Sequence, residues 1–318
     1  LNNVELFLLK NVAKAIGTEN LDHSGGECYK GVTEGLVETL GVKASTGTFP
    51  QVEDADVILS IRSDFYETHP VFGMVVNQAV KRNEAQLFIV ADKKGKFGKL
   101  PNAETLLQKP ALEVNVLNAM AQALIEDGSA VTDGVDGLDE LKKSLADYAP
   151  EKVAAATGVP AEQIKAAAKA LAGANKSAIL LAYGLPYTAQ SKEIAVAAAN
   201  LAILSGNVDK EGSNLYLCGE KANSQGAIDL GVIPAGSGQG AQQMLDAAAA
   251  GSLSALYVVG EDMVTSYPDR EKVEKALDGA RCCSARRVVR REGRYLYQRR
   301  APYPAGSPWN HQPGRSED

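Results

Sequence analysis

Asp56-Val57-Ile58-Leu59-Ser60-Ile61 and Gln86-Leu87-Phe88-Ile89-Val90-Ala91, separated by a helical apolar pattern over about 71–81, decide the fold of this chain. Each run is nearly all apolar rather than alternating, the mark of a strand covered on both faces. Strand, helix, strand is a βαβ unit, whose crossover is expected to be right-handed. Working outward, Ala178-Ile179-Leu180-Leu181-Ala182 and Ala255-Leu256-Tyr257-Val258-Val259 read as two more buried strands. Helical patterns over 4–16, 33–40, 71–81, 111–127, 138–148, 161–172, 192–204 and 241–250 fill the intervals; Gly17, Gly41 and Gly173 stop three of them, and Pro160 opens the one that Gly173 stops. The expected class is α/β with parallel sheets.

The 318 residues, 45% of them hydrophobic, suffice for one large or two medium domains with real cores. No apolar run reaches the roughly 18 residues of a membrane span, and the chain reads as soluble and cytoplasmic. It begins at Leu1, in what looks like the entry to a helix, so the natural protein is expected to start further upstream. Charge is divided unevenly. Residues 281–318 hold nine Arg, no Lys and three acids, net +6; residues 1–280 hold 24 bases, 21 of them Lys, against 36 acids, net −12. An acidic, Lys-using body argues against nucleic-acid binding, and the Arg-rich tail with four prolines reads as a disordered basic arm.

In parallel sheets, ligands bind beyond the carboxyl ends of the strands. That rule selects four loops: 62–70, 92–95, 183–186 (Tyr183-Gly184-Leu185-Pro186) and 260–263. No GxGxxG follows a strand and no GxxxxGK[ST] occurs, so neither a Rossmann dinucleotide fingerprint nor a P-loop is supported. The glycine-rich segment 219–240 suits an irregular loop laid against a ligand. Cys28, in Asp22-His23-Ser24-Gly25-Gly26-Glu27-Cys28-Tyr29-Lys30-Gly31, stands before a helix start, where backbone N–H groups stabilise a thiolate. It suits a soft metal ligand or nucleophile, or a small apolar residue beside a tight turn. Four cysteines without a CxxC pair offer no zinc or iron–sulfur spacing.

At these loops the sequence resembles the molybdopterin oxidoreductase family over nearly all of residues 1–280. Ala55 to Pro70 is similar to the family's strand and Ser-Asn-Pro-x-x-x-His-Pro loop, with Ser63, Thr68, His69 and Pro70 in matching places. Asp92 resembles the Asp of its Asp-Pro-Arg turn. Asn200 to Asn207, Asn223-Ser224-Gln225-Gly226-Ala227 and Tyr257 to Asp262 resemble three further cofactor-side segments. The resemblance implies two Rossmann-like parallel-sheet lobes, one over 28–176 inserted into a second made of 1–27 and 177–280. It implies molybdopterin guanine dinucleotide as cofactor, contacted by Ser63, Thr68, His69, Asp92, Tyr183, Gly184, Asn207, Asn223, Gln225, Gly260 and Asp262.

Within the family, the wording of 223–234 is most similar to the large G subunits of NADH-quinone oxidoreductase, respiratory complex I. That branch implies iron–sulfur clusters only in preceding domains, the other complex subunits as partners, and a peripheral place on the cytoplasmic side of the inner membrane, with membrane contact only through the complex. A second branch, the formate dehydrogenases, ligates molybdenum or tungsten through a Cys or selenocysteine that aligns with Cys28 and is followed by His-Gly; here Tyr29-Lys30 follows. Where the family continues to Gly-Thr-x-x-Asn-x-Glu-Arg, this chain has Arg294-Tyr295-Leu296-Tyr297-Gln298-Arg299-Arg300-Ala301. Codons CGG TAC CTA TAC CAA CGC CGA GCG, read one nucleotide later, give Gly-Thr-Tyr-Thr-Asn-Ala-Glu. Residues from about 281 are therefore expected to be translated out of frame, a reading that the gene's own codons decide.

Overall fold

The computed structural model describes residues 1–62, 65–181, 189–208, 210–219 and 221–284, with backbone only at 27–29, 67 and 281–284. Both deciding runs form the expected strands, β1 (Val57–Ile61) and β2 (Gln86–Ala91), paired parallel with Leu59 beside Phe88. β3 (Ala103–Leu107) joins the outer side of β2, and β4 (Ser177–Leu181) and β5 (Asn214–Leu217) extend the other side, giving the order β3-β2-β1-β4-β5. β1 sits at the centre with all five side chains buried. Leu59, Ile61, Phe88, Val90 and Leu106 pack in one core with helices Glu113–Glu126, Ala161–Gly173 and Ser191–Leu204. Ile58, Leu87, Ile89 and Leu180 pack in a second core with helices Phe49–Glu53 and Pro70–Arg82. A parallel sheet covered on both faces is what the unbroken apolar runs demanded.

The lobe boundaries differ from the sequence expectation. Residues 27–225 form one unit, and 1–26 with the residues from 226 onward form the other. The run at 177–181, assigned by sequence to the second lobe, hydrogen-bonds along β1 with Ile179 beside Leu59, and Asp56 Oδ2 accepts from the N–H groups of Asn175 and Lys176, both at 3.0 Å. An apolar run reports burial, not which sheet it joins. β3 and β5 escaped sequence reading because both are edge strands: Ala-Glu-Thr-Leu-Leu carries half-buried polar positions, and Asn-Leu-Tyr-Leu has only four residues.

The helix expected from 33 begins at Gly26 and runs to Leu40. Two internal glycines seat it: a Cβ at Gly31 would lie 2.1 Å from Ser191 Oγ, and one at Gly35 2.7 Å from the Lys192 carbonyl oxygen. Helix propensity is given up there for close approach to helix Ser191–Leu204.

In the other unit, helix Asn3–Ala15 starts with an Asn2/Glu5 capping box. Its stripe Val4, Leu8, Val12 and Ile16 is exposed, at 67, 56, 49 and 72%, whereas Leu6 packs with Ala227 and Val232. β6 (Ala255–Val258) pairs parallel with β7 (Arg281–Ser284), beside a core containing Leu245, Leu256, Val273 and Ala276. The fold thus continues to residue 284, four residues into the stretch read as an atypical tail from 281; residues 285–318 lie outside the described residues. No helix among the described residues is long and apolar enough to cross a membrane.

Candidate functional site

Three adjacent strands of the larger unit deliver polar residues at their carboxyl ends: Arg62 after β1, Asp92 after β2 and Gln108 after β3. The ladder runs one residue past the strands, with Arg62 N–H donating to the Val90 carbonyl at 2.9 Å and Gln108 N–H to that of Ala91 at 3.0 Å. Arg62 turns with φ +62, a left-handed conformation that costs a side-chain-bearing residue roughly 1 kcal/mol or more. Asp92 is exposed.

Gln108 and Glu113 are anomalous. Gln108 is 4% exposed and neither its amide oxygen nor its nitrogen has a hydrogen-bond partner. Glu113, the first residue of its helix, is fully buried, and neither carboxylate oxygen is hydrogen-bonded; Arg62 Nε approaches Oε1 to 3.4 Å. A helix N-terminus favours an acid by up to about 1 kcal/mol, yet burying a carboxylate without hydrogen bonds costs several times that. An unmet buried amide adds about 1–3 kcal/mol. Four such atoms within six residues fit a ligand whose ring edge donates paired N–H groups to a carboxylate and offers both donor and acceptor to an amide. Guanine and pterin edges have that pattern, so the residues present fit the cofactor that the resemblance implies.

Of the residues selected by sequence, Thr68 and His69 lie where expected, between β1 and helix Pro70–Arg82, but they bind each other and the protein. His69 Nδ1 lies 3.0 Å from Thr68 Oγ1, and Nε2 lies 2.6 Å from the Gly219 carbonyl, just past β5. Asn223 and Gln225 are half-buried, and helix Ser224–Asp229 forms within the expected irregular loop. Gly260 (φ +69) and Asp262 follow β6 and belong to the other unit. Ser63, Tyr183 and Gly184 lie outside the described residues. Cys28 is the third residue of helix Gly26–Leu40, inside its first turn rather than before its start, and its side chain is not described. No cluster of three or more metal-ligating side chains occurs among the described residues.

Asn207 is corrected. It precedes β5, at the amino end of the sheet, and is 5% exposed. Its Nδ2 donates to the Leu171 carbonyl and to Ser205 Oγ, each at 2.9 Å, and its Oδ1 accepts from Ser213 Oγ at 3.2 Å. A fully engaged side chain at the edge opposite the carboxyl ends is a structural tie, and sequence spacing does not say which end of a strand a loop serves.

Sequence reading missed Gln108 and Glu113, and passed over Arg62 within its loop. The available signal was β3: once Ala103–Leu107 is a strand, Gln108 occupies the position that Arg62 and Asp92 occupy after theirs. An open groove of about 770 Å³ lies by contrast at the amino ends of β2 and β3, between exposed Glu84, Gln86, Asn102 and Lys169, with every ligand-selecting group already solvated.

The glycine-rich run at 236–240 lies against the 19–22 segment. A Cβ at Gly238 would lie 2.1 Å from the Glu19 carbonyl oxygen, while Ser237 and Gln239 N–H groups donate to Glu19 Oε2 and Asn20 Oδ1 at 3.2 and 2.8 Å. Burial pushes the Cys218 thiol up to about 12, so it stays protonated and is no nucleophile. His23 Nδ1 accepts from Gly25 N–H at 3.2 Å, which places the proton on Nε2, a buried atom without a hydrogen-bond partner. Burial lowers its pKa below the ordinary 6.5, partly offset by the Asp22 carboxylate. A base with a depressed folded pKa is protonated more readily in the unfolded chain, so its penalty is absent above about 6.5 and grows as pH falls below it. His23→Asn is therefore expected to lose less thermal stability than the wild type between pH 7.5 and 5.5, measured by parallel melts; equal losses would remove His23 from the acid response.

The family profile described as molybdopterin oxidoreductase matches residues 1–285. The alpha subunit of F420-dependent formate dehydrogenase from Methanocaldococcus jannaschii is 27% identical over 306 residues, covering 86% of this chain and 45% of that protein. Probable oxidoreductase YjgC of Bacillus subtilis is 30% identical over 294 residues, covering 82% and 30%. The chain thus spans less than half the length of these curated relatives. Acetylene hydratase from Pelobacter acetylenicus superposes with a TM-score of 0.70 over 87% of this chain and 44% of that one; at 16% identity this likeness concerns the fold. With its α/β architecture, its parallel sheet and a profile match over residues 1–285, the chain belongs to the molybdopterin oxidoreductase family.

Proposed function

We propose that this chain is the dinucleotide-cradling α/β part of a longer molybdenum- or tungsten-pterin oxidoreductase of the formate dehydrogenase kind. The observation that carries the reading is the unmet pair Gln108 and Glu113 beyond the carboxyl ends of the five-stranded sheet. Glu113 would accept ring N–H groups of the guanine, the Gln108 amide would meet the remaining donor and acceptor, and Arg62 would offset the carboxylate charge. Asp92, at the neighbouring strand end, would accept ribose hydroxyls. When bound, the pterin supplies a metal centre able to exchange two electrons with a substrate. Cys28 is the candidate thiolate for that metal. The similarity to formate dehydrogenase subunits supports this branch.

A second reading is favoured by Tyr29-Lys30, which stand where formate dehydrogenases have His-Gly. In it the chain belongs to the large subunit of an NADH-quinone oxidoreductase, docks with the other subunits on the cytoplasmic side of the membrane, and serves as scaffold. The full-length protein, produced anaerobically with molybdate or tungstate, separates the two. Stoichiometric metal and pterin with formate-dependent dye reduction, lost in Cys28→Ser, is the expected result. Absence of metal and pterin together with intact NADH-to-quinone activity in the complex would overturn it in favour of the second.

A further inference from the structure

We propose that His69 is a positioning residue: a latch that ties the chain leaving β5 to the chain leaving β1 and thereby holds residues 221–225 at the carboxyl end of the sheet. β1 and β5 are not neighbours, since β4 lies between them. Strands stand about 4.8 Å apart, so their ends are roughly 10 Å from one another, a gap that no ladder hydrogen bond closes. The last ladder bond along β5 is Cys218 N–H to the Leu181 carbonyl at 2.9 Å, and the next carbonyl, that of Gly219, is the one His69 Nε2 meets at 2.6 Å.

A carbonyl oxygen only accepts, so Nε2 carries the proton. In the neutral ring Nδ1 is then the acceptor, and the Thr68 hydroxyl donates to it at 3.0 Å. Both ring nitrogens are spent on protein, which leaves the ring no polar atom for a ligand. The latch is mounted rigidly. His69 N–H donates to the Phe65 carbonyl at 3.0 Å, its own carbonyl accepts from Gly73 at 2.8 Å, and the ring stands edge-on to fully buried Phe65 at a centroid distance of 6.0 Å. Ser224, five residues beyond the latch point, is 3% exposed, so the described residues 221–223 lead into a buried anchor. Asn223 and Gln225, whose side chains the sequence assigned to the cofactor, lie in and just beyond that segment.

Hydrogen exchange on the full chain tests the latch without any cofactor. His69→Ala is expected to speed exchange of the amides between 218 and 226 about tenfold, with β1 and β2 amides unchanged as the control for folding. His69→Gln, whose Nε2–H can donate to the same carbonyl, is expected to recover most of that protection. Unaltered exchange in His69→Ala overturns the proposal, as does a Gln variant no better than Ala, since the ring itself would then be the required group. The consequence for cofactor retention rests on the function proposed above: pterin released per chain should fall in His69→Ala and be rescued in His69→Gln. A wild-type protein carrying no pterin would defeat that function while the exchange result still decides the latch.

Discussion

Glu113→Gln should leave the cofactor-free protein at least as stable as the wild type while lowering pterin retention by about 10–100-fold, the worth of one or two charge-assisted hydrogen bonds. The carboxylate is fully buried, has no hydrogen bond, and sees one guanidinium at 3.4 Å. Replacing it by a near-isosteric amide removes a desolvated charge and surrenders only a helix-dipole contact of about 0.3–1 kcal/mol. The amide also turns a donor toward ring N–H groups that need an acceptor, hence the lost retention. Arg62→Ala has the opposite signature: it strands the buried carboxylate and is expected to cost about 1–3 kcal/mol even without cofactor, discounted because Arg62 is 24% exposed. Thermal melts of the cofactor-free variants with pterin analysis of the loaded ones check both. If Glu113→Gln destabilises as much as Arg62→Ala, Glu113 is a structural ion-pair partner and not a ligand group waiting to be met.

Gly238→Ala should destabilise the smaller unit by about 2–4 kcal/mol. The added Cβ would lie 2.1 Å from the Glu19 carbonyl oxygen and 2.9 Å from that of Ala235, both backbone atoms. Neither can swing away, because Asp22 Oδ2 accepts from Ala241 N–H at 2.7 Å and Asn20 Oδ1 from Gln239 N–H at 2.8 Å, pinning the two segments on either side. Gly173→Ala, in a helix with nothing within 4 Å of the new methyl, is the control and should be neutral or stabilising by up to about 1 kcal/mol. Hydrogen exchange resolved along the chain should show the Gly238 effect confined to residues 1–26 and 226–284. A uniform loss across both units, or none, would mean the loop relaxes and the glycine run is not needed for close approach.

The α/β class, four of the seven strands among the described residues and most long helices were legible in the chain because periodicity and apolar runs are local consequences of burial. β1 and β2 needed nothing else: five consecutive buried positions in each can be satisfied only by a sheet covered on both faces. The carboxyl-end rule also led to the 62–70 and 92–95 loops. The resemblance put Asn207 among the cofactor contacts, but a motif does not reveal which end of the sheet it reaches, and His69 Nε2 hydrogen-bonds to the Gly219 carbonyl, 150 residues away.

What sequence alone determined was therefore the family, the fold class and the strands at the centre of the sheet. Tertiary structure decided that β4 and β5 join β1 rather than a second lobe, and that Gln108 and Glu113, just past the end of β3, are left unmet. The reason is physical: hydrophobic patterning is set by residues three or four positions apart, whereas sheet partnership and the satisfaction of a buried amide or carboxylate depend on atoms brought together from far along the chain.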